Sequence, residues 1–169
     1  EGRVCCGDKA KIATVLFELG WLHDDQEDYK QAKEYYENAL RIRKFIPNLD
    51  QMEVGVVLNN IGLLLQNIGN HDEAEKLHNE DLEICKRDDA NSTRTATALH
   101  NLSLIYIERG EYKRAVEALE EDLRISTMQL GWRHPETALT LEALGWVYTK
   151  LGRLKDAETM LSQATEILS

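Results

Sequence analysis

The sequence predicts an all-α protein built as a stack of four helix pairs, and three observations predict it. The 169 residues include only 2 Pro and 10 Gly, too few turn formers for a chain of many short strands. Small residues recur at Gly20, Gly62, Ser103 and Gly145, spaced 42, 41 and 42 residues apart. The same offsets align Leu16, Leu58, Leu99 and Leu141, then Leu19, Ile61, Leu102 and Leu144. Two more columns hold Ala32, Ala74, Ala115 and Ala157, and Ile42, Ile84, Ile125 and Ile167. Independent columns sharing one period mark an internal repeat. No such unit buries its apolar faces alone, so neighbours must stack.

The elements follow in order. Residues 1–12 read as an N-terminal flank; Cys5 and Cys6 lie there with no partner residues that would make them a redox or metal handle. Repeat 1 covers 13–54: Leu16, Leu19, Gly20 and His23 share one helix stripe, and Glu27-Asp28 takes the turn before Tyr29, Ala32, Tyr36 and Ala39. In repeat 2, residues 55–95, Leu58, Ile61, Leu65 and Ile68 keep amphipathic helical spacing. Gly69-Asn70 then stops that helix, and acids Asp72 and Glu73 open the next, where its dipole favours them. Repeats 3 (96–137) and 4 (138–169) turn at Gly110 and Gly152 in the same place. A link of about a dozen residues is expected between repeats, marked by Pro47, by the polar run 88–92, and by Gly131 to Pro135. Gly20, Gly62, Ser103 and Gly145 let paired helices approach closely, and the alanine column does the same from the other side.

Composition removes several function classes. The 30 Asp+Glu against 20 Lys+Arg give a net charge of −10, which disfavours nucleic acid and anionic membrane surfaces. No apolar run is long enough to span a bilayer. Three cysteines cannot all pair within the chain, so a reducing cytoplasm is expected, with Cys85 packed as a small apolar side chain. The chain opens on Glu1 with no signal-peptide layout and reads as a segment of a longer protein.

No G-x-G-x-x-G, P-loop, H-E-x-x-H or G-x-S-x-G is present. The expectation is therefore no enzyme, no catalytic residue, no cofactor and no metal. His71, Glu75 and His78 have the spacing to converge on a metal ion. However, His71 fills the column of Tyr29 and Tyr112, and His78 that of Tyr36, so both read as packing residues. Paired acids such as Asp24-Asp25, Asp88-Asp89 and Glu120-Glu121 point in different directions on a helix and read as solvated charge.

The repeat resembles the tetratricopeptide family. Repeat 4 carries Leu141, Leu144-Gly145 and Tyr148, then Gly152, Leu154, Ala157, Leu161 and Ala164. Repeat 1 carries Leu16, Leu19-Gly20, Tyr29, Ala32, Tyr36 and Ala39. The period exceeds the about 34 residues usual for the family. With His134-Pro135-Glu136-Thr137-Ala138 opening a repeat and Asn59-Asn60 inside one, it is similar to the kinesin light chain and nephrocystin-like subgroup. The resemblance implies a right-handed superhelix whose concave groove binds a protein or peptide, as a cargo adaptor does.

A second stripe on each first helix would line that groove. It holds Thr14, Phe17, Trp21, Asp24 and Asp25 in repeat 1, with Val56, Asn59, Leu63, Gln66 and Asn67 in repeat 2. Repeat 3 adds Thr97, His100, Leu104, Ile107 and Glu108, and repeat 4 adds Leu139, Glu142, Trp146, Thr149 and Lys150. Amides suit an extended backbone, and the apolar positions suit its side chains. Kinesin light chains hold acidic, tryptophan-bearing peptides in grooves lined by Asn and basic residues. Asn59, Asn60 and Asn101, with Arg94, Arg133 and Lys150, match that pattern. Asp24, Asp25, Glu108 and Glu142 oppose it, so a peptide basic near repeat 1 and acidic or neutral near repeat 4 is expected. The alternative is a structural or sensing module of a larger signalling protein that self-associates end to end, a homo-oligomer through Met160, Leu161, Ile167 and Leu168. Charge grades along the repeats, −4 in each of the first two, −2 in the third and −1 in the fourth.

Overall fold

The computed structural model describes residues 6–169; Cys5 and the side chain of Cys6 lie outside the described residues. Eight helices follow in chain order among them: α1 Cys6–Asp25, α2 Tyr29–Lys44, α3 Gln51–Asn67, α4 His71–Asp89, α5 Thr93–Glu108, α6 Tyr112–Leu130, α7 Pro135–Lys150 and α8 Leu154–Leu168. The described residues contain no strand. The chain divides into two compact units, the first ending at Ile84 and the second running from Cys85 to Ser169.

Each hairpin turn is closed the same way. Glu27, Gly69, Gly110 and Gly152 occupy one column, and all four have positive φ, from 59° to 78°. The next residue reaches back five places, as Asn70 N–H does to Leu65 O at 2.8 Å and Glu111 N–H to Tyr106 O at 2.8 Å. Such a turn satisfies carbonyls that the helix end would otherwise leave bare. Glu27 thus makes, with an ordinary side chain, the turn that three glycines make elsewhere.

Helix starts are written locally. Asp28, Asp50 and Ser92 accept from the backbone N–H of Gln31, Met52 and Thr95. His134 Nδ1 accepts from Glu136 N–H at 3.2 Å, with Pro135 in the first turn.

The links differ from expectation. They occupy 45–50, 90–92 and 131–134, so they hold six, three and four residues rather than about a dozen. The long period is absorbed by helix instead: α4 and α6 run for 19 residues each, and Asp88 and Asp89 belong to α4. A polar run with acids therefore continues a helix here because nothing in it breaks the backbone pattern. α1 begins at Cys6, ahead of the repeat start at residue 13.

Close approach inside each hairpin is measurable. A Cβ at Gly20 would lie 2.5 Å from the Tyr36 ring, one at Gly62 2.5 Å from the His78 ring, and one at Gly145 2.6 Å from Leu161 Cγ. In the first unit Val54, Leu58 and Ile84 form a core joined by Leu40, Leu49, Met52 and Leu77. Lys33–Glu73 (3.2 Å) and Lys44–Glu80 (2.7 Å) link α2 to α4 on its surface. In the second unit Ala138, Leu141 and Ala164 pack with Leu123, Trp132, Met160 and Ile167. Two of the side chains considered for self-association, Met160 and Ile167, are thus engaged within α7–α8, while Leu161 and Leu168 remain 41% and 65% exposed.

Candidate functional site

The second unit brings α5, α6 and α7 around a cavity of about 200 Å³. Thr97 and His100 come from α5, Asp122 and Ser126 from α6, and Glu136, Leu139 and Thr140 from α7, with Ala96 completing the lining. Its floor is Asp122, only 3% exposed. Ser126 Oγ donates to Asp122 Oδ1 at 2.9 Å, and Thr140 Oγ1 lies 2.9 Å from Asp122 Oδ2. His100 Nδ1 meets Oδ2 at 3.1 Å. One carboxylate therefore joins three helices, and its burial is tolerable because three donors surround it. As a carboxylate it only accepts, so His100 Nδ1 is the donor in that contact.

Beside the cavity the α5–α7 face is apolar and open. Leu104, Leu139 and Trp146 are 37%, 56% and 43% exposed. The Trp146 ring is set edge-on to Tyr112, centroids 6.0 Å apart, and the Lys150 ammonium sits 4.8 Å from its centroid. These contacts fix the indole's orientation and leave much of its surface to solvent. Glu108, Glu142 and Lys150 are exposed, Arg94 and Ile107 half-buried. Arg133 is exposed and Asn101 is buried.

In the first unit the stripe is more committed to its own hairpins. Trp21, Asp25 and Asn67 are exposed, and Leu63 and Asn59 half-buried. Phe17 packs against the Tyr36 ring at 5.5 Å and beneath the Arg43 guanidinium at 5.3 Å. Asp24 is 3.5 Å from the Tyr36 hydroxyl, and burial raises its carboxyl above the ordinary range. Gln66, in the same column, has its side-chain oxygen 3.0 Å from His78 Nε2. His78 is fully buried, and burial holds its imidazole down to about 4. Asn60 donates to the Val56 carbonyl of its own helix at 2.8 Å. Among the described residues no three His, Cys, Asp or Glu side chains are grouped to hold a metal ion.

Asp122, Ser126, Thr140 and Glu136 escaped the stripe reading because three of them are buried and two sit on the second helix of the repeat. A signal was present, however. Asp81 and Asp122 share a column with Ala39 and Ala164, and an acid in an apolar column needs a partner. Both are 3% exposed.

Comparison with known proteins agrees with this architecture. Tetratricopeptide repeat family models match residues 13–44, 53–127 and 123–169. The chain is 29% identical over 136 residues to outer dynein arm-docking complex subunit 4 of Danio rerio, covering 80% of this chain and 25% of that protein. It is 25% identical over 154 residues to the protein kinesin light chain-related 2 of Arabidopsis thaliana, covering 89% and 23%. It thus spans about a quarter of the length of these two relatives. The crystal structure of BtubC (BKLC) from P. vanneervenii superposes with a TM-score of 0.85 at 27% identity, covering 92% of this chain and 62% of that one. With family models matching nearly its whole length and four matching helix hairpins, the chain belongs to the tetratricopeptide repeat family.

Proposed function

We propose that the chain is a protein-interaction scaffold whose α5–α7 face holds an extended segment of a partner protein, in the manner of a cargo adaptor. The observation that carries this reading is the alignment of Leu104, Leu139 and Trp146, all exposed, beside a polar cavity floored by buried Asp122. Apolar contacts next to a few placed polar groups are what peptide recognition uses. The proposed activity is binding alone, without a catalytic step. A cytoplasmic setting suits the buried Cys85, and no helix of the described residues is long and apolar enough to cross a membrane.

Selection from a displayed random peptide library tests the reading, with Trp146→Ala and Asn59→Ala run beside the parent chain. Trp146→Ala is expected to weaken selected peptides about tenfold or more, as truncating an aromatic anchor does. If Trp146→Ala keeps every peptide at full affinity, the reading fails.

Self-association is a second reading, favoured by one observation. Leu161 shares its column with Tyr36, His78 and Leu119, each fully buried, and Leu168 shares its own with buried Arg43, Cys85 and Ser126. These α8 positions are of the kind that an adjoining helix covers elsewhere in the chain. Sedimentation of the parent against Leu161→Asp and Leu168→Asp decides it: a concentration-dependent dimer lost in both variants supports it, and a monomer throughout removes it.

A further inference from the structure

We propose that the cavity between α5 and α7 is a subsite for one basic side chain, lysine or arginine, of the segment bound on that face, an inference that rests on the binding reading above. The protons of this cavity are already committed. Ser126 Oγ gives its proton to Asp122, and His100 gives its Nδ1 proton to the same carboxylate. Thr140 Oγ1 donates to Asp122 Oδ2 or to the Glu136 carbonyl oxygen, at 2.9 and 3.1 Å. The Thr97 hydroxyl donates to the Thr93 carbonyl oxygen at 3.1 Å. Glu136, a carboxylate on the rim, has no proton to give.

What the lining retains is lone pairs: those of three hydroxyl oxygens and of two carboxylates. A guest carboxylate or carbonyl would face these oxygen acceptors, and a carboxylate would also face the charge of Asp122 and Glu136. An ammonium or guanidinium brings only donors and a charge opposite to that of Asp122 and Glu136. Ala96 and Leu139 supply an apolar wall for the methylene stem, the arrangement in which long basic side chains bury their chain and keep the head polar. The preference so derived is the reverse of one for acidic peptides.

Two measurements on the 169-residue chain test the subsite and separate it from the binding reading. In the first, the ¹⁵N-labelled chain is titrated with N-acetyl-lysine amide and, separately, with its neutral isostere N-acetyl-norleucine amide. The His100 ring resonances, identified by their loss in His100→Gln, are followed. The lysine amide is expected to give a saturable shift that the norleucine amide and sodium chloride at equal ionic strength do not. Glu136→Gln, on the exposed rim, should weaken it about three- to tenfold. Trp146→Ala, outside the cavity, should leave it within about twofold. No saturable shift, or an equal one with norleucine amide or salt, overturns the subsite.

The second measurement sequences the library-selected peptides. One aligned Lys or Arg, no longer selected against Glu136→Lys, is the expected result. Peptides that need Trp146 but show no basic position overturn the subsite and leave the binding face standing. A lysine-amide response without any Trp146-dependent peptide supports the subsite and removes the binding face.

Discussion

His78 is neutral and fully buried beneath Gly62, with burial lowering its pKa from 6.5 to about 4. Unfolded, it takes up a proton near the ordinary value, so between the two the unfolded chain binds more protons. Its contribution is complete above pH 6.5 and is lost as pH falls toward 4, at about 1.4 kcal/mol per unit and roughly 3 kcal/mol in all. Denaturant midpoints measured across that window should fall for the parent and fall less for His78→Tyr, the residue its column holds at Tyr36. Equal slopes would reject the assignment. Two glycines separate close packing from backbone strain in the same way. Gly62→Ala drives a Cβ into the His78 ring and should cost about 1–3 kcal/mol. Gly110→Ala meets nothing within 4 Å but holds φ at 73°, a strain of about 1–2 kcal/mol. Asparagine, which tolerates that φ, should recover part of the loss at 110 and none at 62.

At the scale of helices, Asp122 decides how α5, α6 and α7 meet. Removing it in Asp122→Ala strands the donors of Ser126 and His100 and takes one of the two acceptors of Thr140, and thermal or denaturant unfolding should report a loss of roughly 2–3 kcal/mol. A loss below about 1 kcal/mol would mean that the carboxylate is incidental. The existence and type of the helices were legible in the sequence because amphipathic spacing, cap residues and turn glycines are local signals. Their lengths were not. The polar run 88–92 looks like a link by composition, yet Asp88 and Asp89 are helical in α4. Glu27 was legible only by alignment with Gly69, since nothing in the residue itself announces a left-handed backbone. Of the candidate site, the exposed stripe could be read from periodicity, including Thr97, His100, Leu139 and Trp146. The cavity floor could not, because Asp122 belongs to another helix and meets His100 only after α5 and α6 pack.

For the whole molecule, a net charge of −10 raises the encounter rate with basic partners and lowers it with acidic ones. Association of a lysine-bearing selected peptide should therefore slow severalfold as salt rises from about 20 to 300 mM, with dissociation changing much less. Stopped-flow or surface-binding kinetics separate the two rates, and a salt-independent association rate would contradict the proposed steering. By itself the sequence determined the repeat number, the helix pairing, the turn positions and the close approach at Gly20, Gly62 and Gly145. Each of these repeats in a column or acts over a few neighbouring residues. Only the tertiary structure decided which members of a column are covered. Val15 is exposed while Val57 and Ala98, in the same column, are buried. Likewise Leu161 is open where Leu119 is closed. Burial depends on the helix packed against a position, and so do the partners of Asp122, because residues far apart in sequence meet only when helices stack.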